Sequence, residues 1–305
     1  MDKDERIMKR VQEHYDYLKQ KGYEIVFLAL QGSQNYGLDV YDEEYMSDVD
    51  TKAVILPSFE DFVYNRRPES ETIVLDNNEH IDVKDVRPMF ENYKKQNINF
   101  VETLFTKYMV INPKYKDLVD LLLKNREEVA YLNYNQALKC MSGMSMEKLK
   151  ALKHPYPATK DKIDKFGYDP KQLNHILRIN DFIKKYTERK SYAECLIPDN
   201  KEWLIEVKKG ILPELEAEIL ATEMDANTRY IKDCNMKAND EINQKAVDIL
   251  DKVKYELLKR KFQEDLKIEI PKRYSYYDEC GNRITILDKQ KLKKQLKADD
   301  IAFEE

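Results

Sequence analysis

Two aspartates, Asp48 and Asp50, lie two residues apart just before an apolar run at residues 53–56. Residues i and i+2 of a β-strand share one face, so the spacing predicts two carboxylates side by side. Neighbouring like charges are destabilising unless a cation or a shared proton relieves them. The pattern therefore indicates a cation site at the start of a strand.

A second chemical feature lies upstream, where an apolar run at residues 25–30 ends at Gly32-Ser33. Glycine lets the backbone approach a ligand closely, and a turn of this kind offers N–H groups and a hydroxyl to an anion. An anion site beside a dicarboxylate favours a nucleoside triphosphate bound with Mg²⁺, which prefers oxygen ligands.

At these residues the sequence resembles a known family. Gly32-Ser33 followed by Asp48-x-Asp50 resembles the Gly-Ser…Asp-x-Asp signature of the DNA polymerase β-like nucleotidyltransferase superfamily. The fuller form, with Tyr36-Gly37 and Ser47, is similar to its stand-alone bacterial and phage branch associated with RNA repair. The resemblance covers residues 24–110, with a weaker echo at 167–178.

The resemblance implies a reaction and a set of site residues. The reaction is Mg²⁺-dependent transfer of a nucleoside monophosphate from a nucleoside triphosphate to an acceptor hydroxyl, with Mn²⁺ as an alternative ion. Two metal ions would be held by Asp48, Asp50 and a third carboxylate on a later strand. Gly32, Ser33 and Tyr36 would bind the nucleotide.

Asp82 is the expected third carboxylate. Residues 72–75 and 80–84 read as a β-hairpin, in which Asp82 alternates with apolar neighbours and lies beside the strand that follows Asp48 and Asp50. Asp85 is the alternative, although its position favours the N-cap of a helix at residues 86–96, with Pro88 in the first turn.

Lys171, His175 and Arg178 are spaced i, i+4 and i+7, which places them on one stripe of a helix. Such a stripe is either a solvated charged face or a cationic wall that faces the triphosphate. The second interpretation follows from the resemblance, because the branch carries a similar helix after a Gly-Tyr-Asp turn. Glu102 lies in another segment typical of the branch, where a structural role is expected.

The elements around these residues indicate an α+β protein. An amphipathic helix at residues 2–20 precedes the strand–turn–strand core, and helical periodicity dominates from Val86 onward. We expect a catalytic domain with a small mixed sheet at residues 1–110. A mainly helical region would follow at 111–305, with a late β-hairpin at 274–277 and 283–287.

The charge, the cysteines and the apolar runs of the sequence limit the kinds of partner that we expect. The net charge of −5 provides no global basic field, so contact with a nucleic acid would need a local patch. Four widely spaced cysteines predict reduced thiols, and no apolar leader or membrane-length run is present. We expect a cytoplasmic protein without a membrane partner.

The motifs of other enzyme classes are absent from the sequence, which has no P-loop, no nucleophile elbow and no His-Glu-x-x-His helix. An EF-hand reading of Asp48-x-Asp50 would put Ala53 where the turn glycine belongs. By resemblance the acceptor is an RNA end such as that of a tRNA, with a protein side chain or a free oligonucleotide product as alternatives. The rival from another class is a catalytically silent module that binds RNA or protein, such as an antitoxin.

Overall fold

The computed structural model describes residues 2–40, 47–157 and 159–267, and the backbone of residues 274–277 and 283–286. The chain forms two compact units, Met1–Leu258 and Lys259–Glu305. The predicted division near residue 110 stays a prediction. One apolar cluster runs from Val26 to Leu257.

The first unit is built on a five-stranded mixed sheet, which confirms the predicted α+β class. Its strands are β1 (Ile25–Leu30), β2 (Thr51–Ile55), β3 (Ser70–Val74), β4 (His80–Asp85) and β5 (Met109–Ile111). Their order is β3-β4-β2-β1-β5. Strands β2 and β4 are parallel, and the other neighbours are antiparallel.

Burial explains the apolar runs in the sequence. All six residues of β1 and all five of β2 are buried, because apolar clusters cover both faces of the sheet. Strand β2 begins at Thr51, two residues before its apolar run, and the predicted β3–β4 hairpin is confirmed.

Helices make up most of the remaining chain. They are α1 (Lys3–Gln20), α2 (Phe59–Val63), α3 (Val86–Lys94), α4 (Ile98–Val101), α5 (Lys116–Lys124), α6 (Arg126–Ala130), α7 (Tyr134–Ala151), α8 (Lys160–Phe166), α9 (Pro170–Thr187), α10 (Tyr192–Leu196), α11 (Lys201–Lys209), α12 (Glu214–Asn235) and α13 (Gln244–Asp265). None of the helices in the described ranges is both long enough and apolar enough to cross a membrane.

The late hairpin is present as two antiparallel strands, β6 (Tyr274–Tyr277) and β7 (Arg283–Ile286). The turn predicted at 278–282, Leu287 and the charged C-terminal end lie outside the described residues, as does Cys280. The other three cysteines, Cys140, Cys195 and Cys234, are free thiols, as predicted.

Candidate functional site

Two adjacent strands present polar side chains on one face of the sheet. Alternation along β2 and the residues before it gives one row, and alternation along β4 gives the other. The first row is Asp48, Asp50 and Lys52, and the second is His80, Asp82 and Lys84. The parallel register places Lys52 directly opposite Asp82. Asp50 accepts hydrogen bonds from the His80 backbone N–H at 2.9 Å and from His80 Nδ1 at 3.1 Å.

The carboxylate of Asp48 has the character expected of a metal ligand. Burial raises its pKa and the neighbouring Asp50 raises it further, whereas Lys171 opposes the shift. None of the described residues donates a hydrogen bond to this side chain. A pair of acids in this state is stabilised by a cation, so Asp48 and Asp50 are the residues that would hold Mg²⁺.

Glu79 fixes the segment that carries the two aspartates. Its carboxylate accepts from the N–H of Val49, between the two acids, at 3.3 Å. It also binds Arg10 Nε at 2.9 Å and lies 3.0 Å from Nε2 of buried His14, both on α1. Burial alone would raise the pKa of Glu79, but hydrogen bonds with His14, Arg10 and Asn77 lower it to about 2. No local pattern in the sequence predicts this support.

Asp82 lies on the same face but is already paired. Lys52 Nζ donates to its Oδ2, and Lys84 Nζ lies 2.9 Å from its Oδ1. Asp85, the alternative, points to the other side, where it is 1% exposed and caps α3 by accepting from the Arg87 N–H at 2.8 Å. Within the described ranges, no group of three or more histidine, cysteine or acidic side chains is placed to hold a metal ion.

The Gly32-Ser33 turn lies beside the aspartates. Gly32 has a φ of +88°, which favours glycine, and a short 3₁₀ helix, Ser33–Asn35, follows it. The first N–H groups of such a helix have no partner inside it and are available to an anion. Gln34 Nε2 donates to the backbone carbonyl of Asp48 at 2.6 Å, which ties the turn to the carboxylate segment.

The predicted stripe of α9 faces the same space. Asp169 caps the helix by accepting from the Lys171 N–H at 3.0 Å, and Pro170 occupies the first turn. Burial lowers the pKa of His175 well below its usual value, and the charge of Arg178 lowers it further. At neutral pH His175 is therefore an uncharged hydrogen-bonding group, and the positive charge of this helix face comes from Lys171 and Arg178.

Arg178 belongs to a buried cluster with Tyr36 and Glu102. The Tyr36 hydroxyl donates to Glu102 Oε2, and Arg178 Nη1 lies 4.0 Å from the same oxygen. The Arg178 guanidinium also lies 4.0 Å from the centroid of the Tyr36 ring. Burial opposes the charge of Arg178, but Tyr36 and Glu102 outweigh it and raise the arginine pKa. Burial also raises the pKa of Tyr36, which keeps the phenol protonated.

Lys208 is a site residue that the sequence gave no reason to choose, because nothing separates it locally from the other lysines of α11. The helix is held against α9 by Asn174, whose Nδ2 donates to the carbonyl of Leu204 at 2.6 Å. Burial lowers the pKa of Lys208 to about 8, with a further contribution from Lys171.

This shift predicts a pH-dependent affinity for a polyphosphate. As the pH rises through about 8, Lys208 loses its charge, and we expect the affinity for α,β-methylene ATP to fall by up to about tenfold. Titration calorimetry at several pH values measures this. Lys208→Arg, which stays charged, should remove the pH dependence. The same dependence in that variant would contradict the assignment to Lys208.

All nine predicted site residues line one cavity of about 490 Å³, a size suited to a small-molecule ligand. They are Gly32, Ser33, Tyr36, Asp48, Asp50, Asp82, Lys171, His175 and Arg178. Further polar lining residues include Lys52, Lys84, Glu102, Asn174 and Lys208. Among the residues that the structure describes, five basic and four acidic side chains line this cavity.

Comparison with known proteins adds little to what the geometry of the cavity shows. No family model matches the chain, and no curated protein is similar to it in sequence. Among solved structures, it is similar to a nucleotidyltransferase-like protein from Exiguobacterium sibiricum 255-15, with 10% identity over 96% of this chain and 87% of that one. The TM-score is 0.28, a value too low to support an inference about fold or activity.

Proposed function

We propose that the protein is a nucleotidyltransferase that binds a nucleoside triphosphate with Mg²⁺ and transfers its nucleoside monophosphate to an acceptor hydroxyl. The cavity carries this proposal, because it brings an acidic pair, a Gly-Ser turn and cationic side chains together around a space of about 490 Å³. That combination suits a polyphosphate and a divalent cation. The family resemblance of the sequence supports the same reaction.

Different side chains of the cavity position the substrate and stabilise the charge that develops in the reaction. The acceptor oxygen forms a bond to the α-phosphorus, and the bond from that phosphorus to the bridging oxygen breaks, so that pyrophosphate leaves and the hydroxyl proton passes to water. Lys171 and Lys208 offer positive charge to the pyrophosphate, and Ser33 offers a hydroxyl. Mg²⁺ held by Asp48 and Asp50 would neutralise the phosphates and polarise the α-phosphate.

The proposed acceptor is an RNA end, such as that of a tRNA. This choice follows the RNA-repair-associated branch that the sequence resembles. A protein side chain and a free nucleotide are the other acceptors that the chemistry allows, since each presents a hydroxyl.

Label transfer tests the reaction and the acceptor together. The protein is incubated with each α-³²P nucleoside triphosphate, Mg²⁺ or Mn²⁺, and the total RNA and total protein of a bacterial lysate. We expect label in RNA with the wild type and none with Asp48→Asn/Asp50→Asn. Label in protein or in a soluble oligonucleotide would change the acceptor, and no label in any fraction would overturn the proposed reaction.

A second candidate is a module that binds nucleotide or RNA without catalysis. The ion pairs of Asp82 with Lys52 and Lys84 favour it, because the two ammonium groups compete with a metal ion for this carboxylate. Such a module would be stabilised by a magnesium–nucleotide complex in a thermal melt, would lose that stabilisation in Asp50→Asn, and would transfer no label.

A further inference from the structure

We propose that the ammonium group of Lys52 takes the place of a second metal ion at Asp82, so that the site works with one divalent ion, held by Asp48 and Asp50. This inference rests on the proposed function and differs from the two-metal site that the family resemblance implies. A two-metal site places its ions about 3.5–4 Å apart with carboxylates that serve both. In a two-metal site of this kind, the Asp82 carboxylate would have to bind the second ion.

The strand register is the first observation behind this inference. Lys52 continues the row that begins with Asp48 and Asp50, so its stem leaves the sheet on the side of the cavity. Its direct neighbour across the parallel strands is Asp82, whereas the neighbour bonded to Asp50 is His80. Asp50 and Asp82 are therefore each matched by a basic side chain of the neighbouring segment.

The second observation is that each oxygen of Asp82 lies beside an ammonium group, although within the described residues Oδ1 forms only an ion pair and accepts no hydrogen bond. Lys52 donates to Oδ2, and Lys84 lies 2.9 Å from Oδ1 while it donates to Ser70 Oγ at 2.7 Å. Lys52 is only 3% exposed, and its ammonium lies 4.4 Å from the centroid of the Phe100 ring. An ion entering at Asp82 would leave this buried ammonium without its carboxylate, which is strongly unfavourable.

Charge balance is the third observation. Two ammonium groups and one carboxylate have the same net charge as a divalent ion and one carboxylate. The Lys52–Asp82–Lys84 group thus supplies, from the chain itself, the positive charge that a second ion would bring to this end of the cavity. A lysine ammonium is a compact point charge, which suits it to this replacement.

Counting bound Mn²⁺ tests the inference. The electron paramagnetic resonance signal of free Mn²⁺ is titrated against the protein saturated with the α,β-methylene nucleoside triphosphate that stabilises it most in a thermal melt. We expect one ion per chain in the wild type, in Lys52→Arg and in Asp82→Asn. The double variant Lys52→Met/Lys84→Met, which frees both oxygens of Asp82, should bind two.

Each other outcome has a definite meaning. Two ions in the wild type, falling to one in Asp82→Asn, would overturn the inference and leave the proposed function standing. A folded double variant that still binds one ion would overturn the idea that Lys52 keeps the second ion out. No bound nucleotide and no bound ion in the wild type would overturn the proposed function itself. If the double variant does not fold, the comparison of wild type with Asp82→Asn decides the question.

Discussion

Replacing Asp48 with asparagine is expected to lower nucleotidyl transfer by about 10²–10³-fold, as loss of one group that stabilises transition-state charge does. The same change should not lower the melting temperature, because the carboxylate is unfavourable where it lies. Burial and the charge of Asp50 both raise the pKa of Asp48 above its ordinary value. Transfer of α-³²P label and thermal unfolding measure the two effects on the same variant.

The raised pKa of Asp48 makes the stability of the wild type depend on pH. A carboxyl whose pKa is raised by folding stabilises the folded state below its unfolded pKa, near 3.8, and that stabilisation is lost as the pH rises through the folded value. The melting temperature of Asp48→Asn relative to wild type should therefore increase as the pH rises above about 4.

The matched control is Asp120→Asn, an exposed carboxylate of α5 outside the cavity, which should change neither quantity. Clear destabilisation by Asp48→Asn at neutral pH would show that this carboxylate has a structural partner. Undiminished label transfer by Asp48→Asn would show that Asp48 takes no part in the reaction.

Local patterns in the sequence were sufficient for four of the five strands of the sheet and for the acidic row. Six apolar residues in β1 predict a strand buried on both faces, and the alternation along β4 predicts that Asp82 and Asp85 face opposite ways. The capping role of Asp85 also follows from local chemistry, because a helix begins at the next residue. Periodicity and capping act over a few residues, so a single sequence contains them.

Contacts between distant segments could not be predicted in the same way. Glu102 meets Tyr36 across 66 residues, and Lys208 enters the cavity only because α11 packs against α9. The helical stripe predicted where His175 lies but not its charge state, because burial and neighbouring cations decide that. Long-range packing creates these properties, and no local spacing encodes them.

Arg178→Met is expected to destabilise the protein by about 3–5 kcal/mol, the usual cost of removing one partner of a buried ion pair. The guanidinium is buried, lies 4.0 Å from Glu102 Oε2, and covers the face of the Tyr36 ring. Without it, the Glu102 carboxylate stays buried with the Tyr36 hydroxyl as its main donor. Urea denaturation measures the loss. Lys171→Met, an exposed position of the same helix, should stay within about 0.5 kcal/mol of wild type.

A double-mutant cycle separates the ion pair from simple packing. In Arg178→Met/Glu102→Gln no charge is left buried alone, and the amide oxygen of glutamine can still accept from the Tyr36 hydroxyl. The double variant should therefore lose less stability than the sum of the two single variants. Additive losses would show that Arg178 stabilises the fold by its contact with the Tyr36 ring instead. In that case Arg178 would act as a packing residue beneath the cavity, and the cationic side of the site would depend on Lys171 and Lys208.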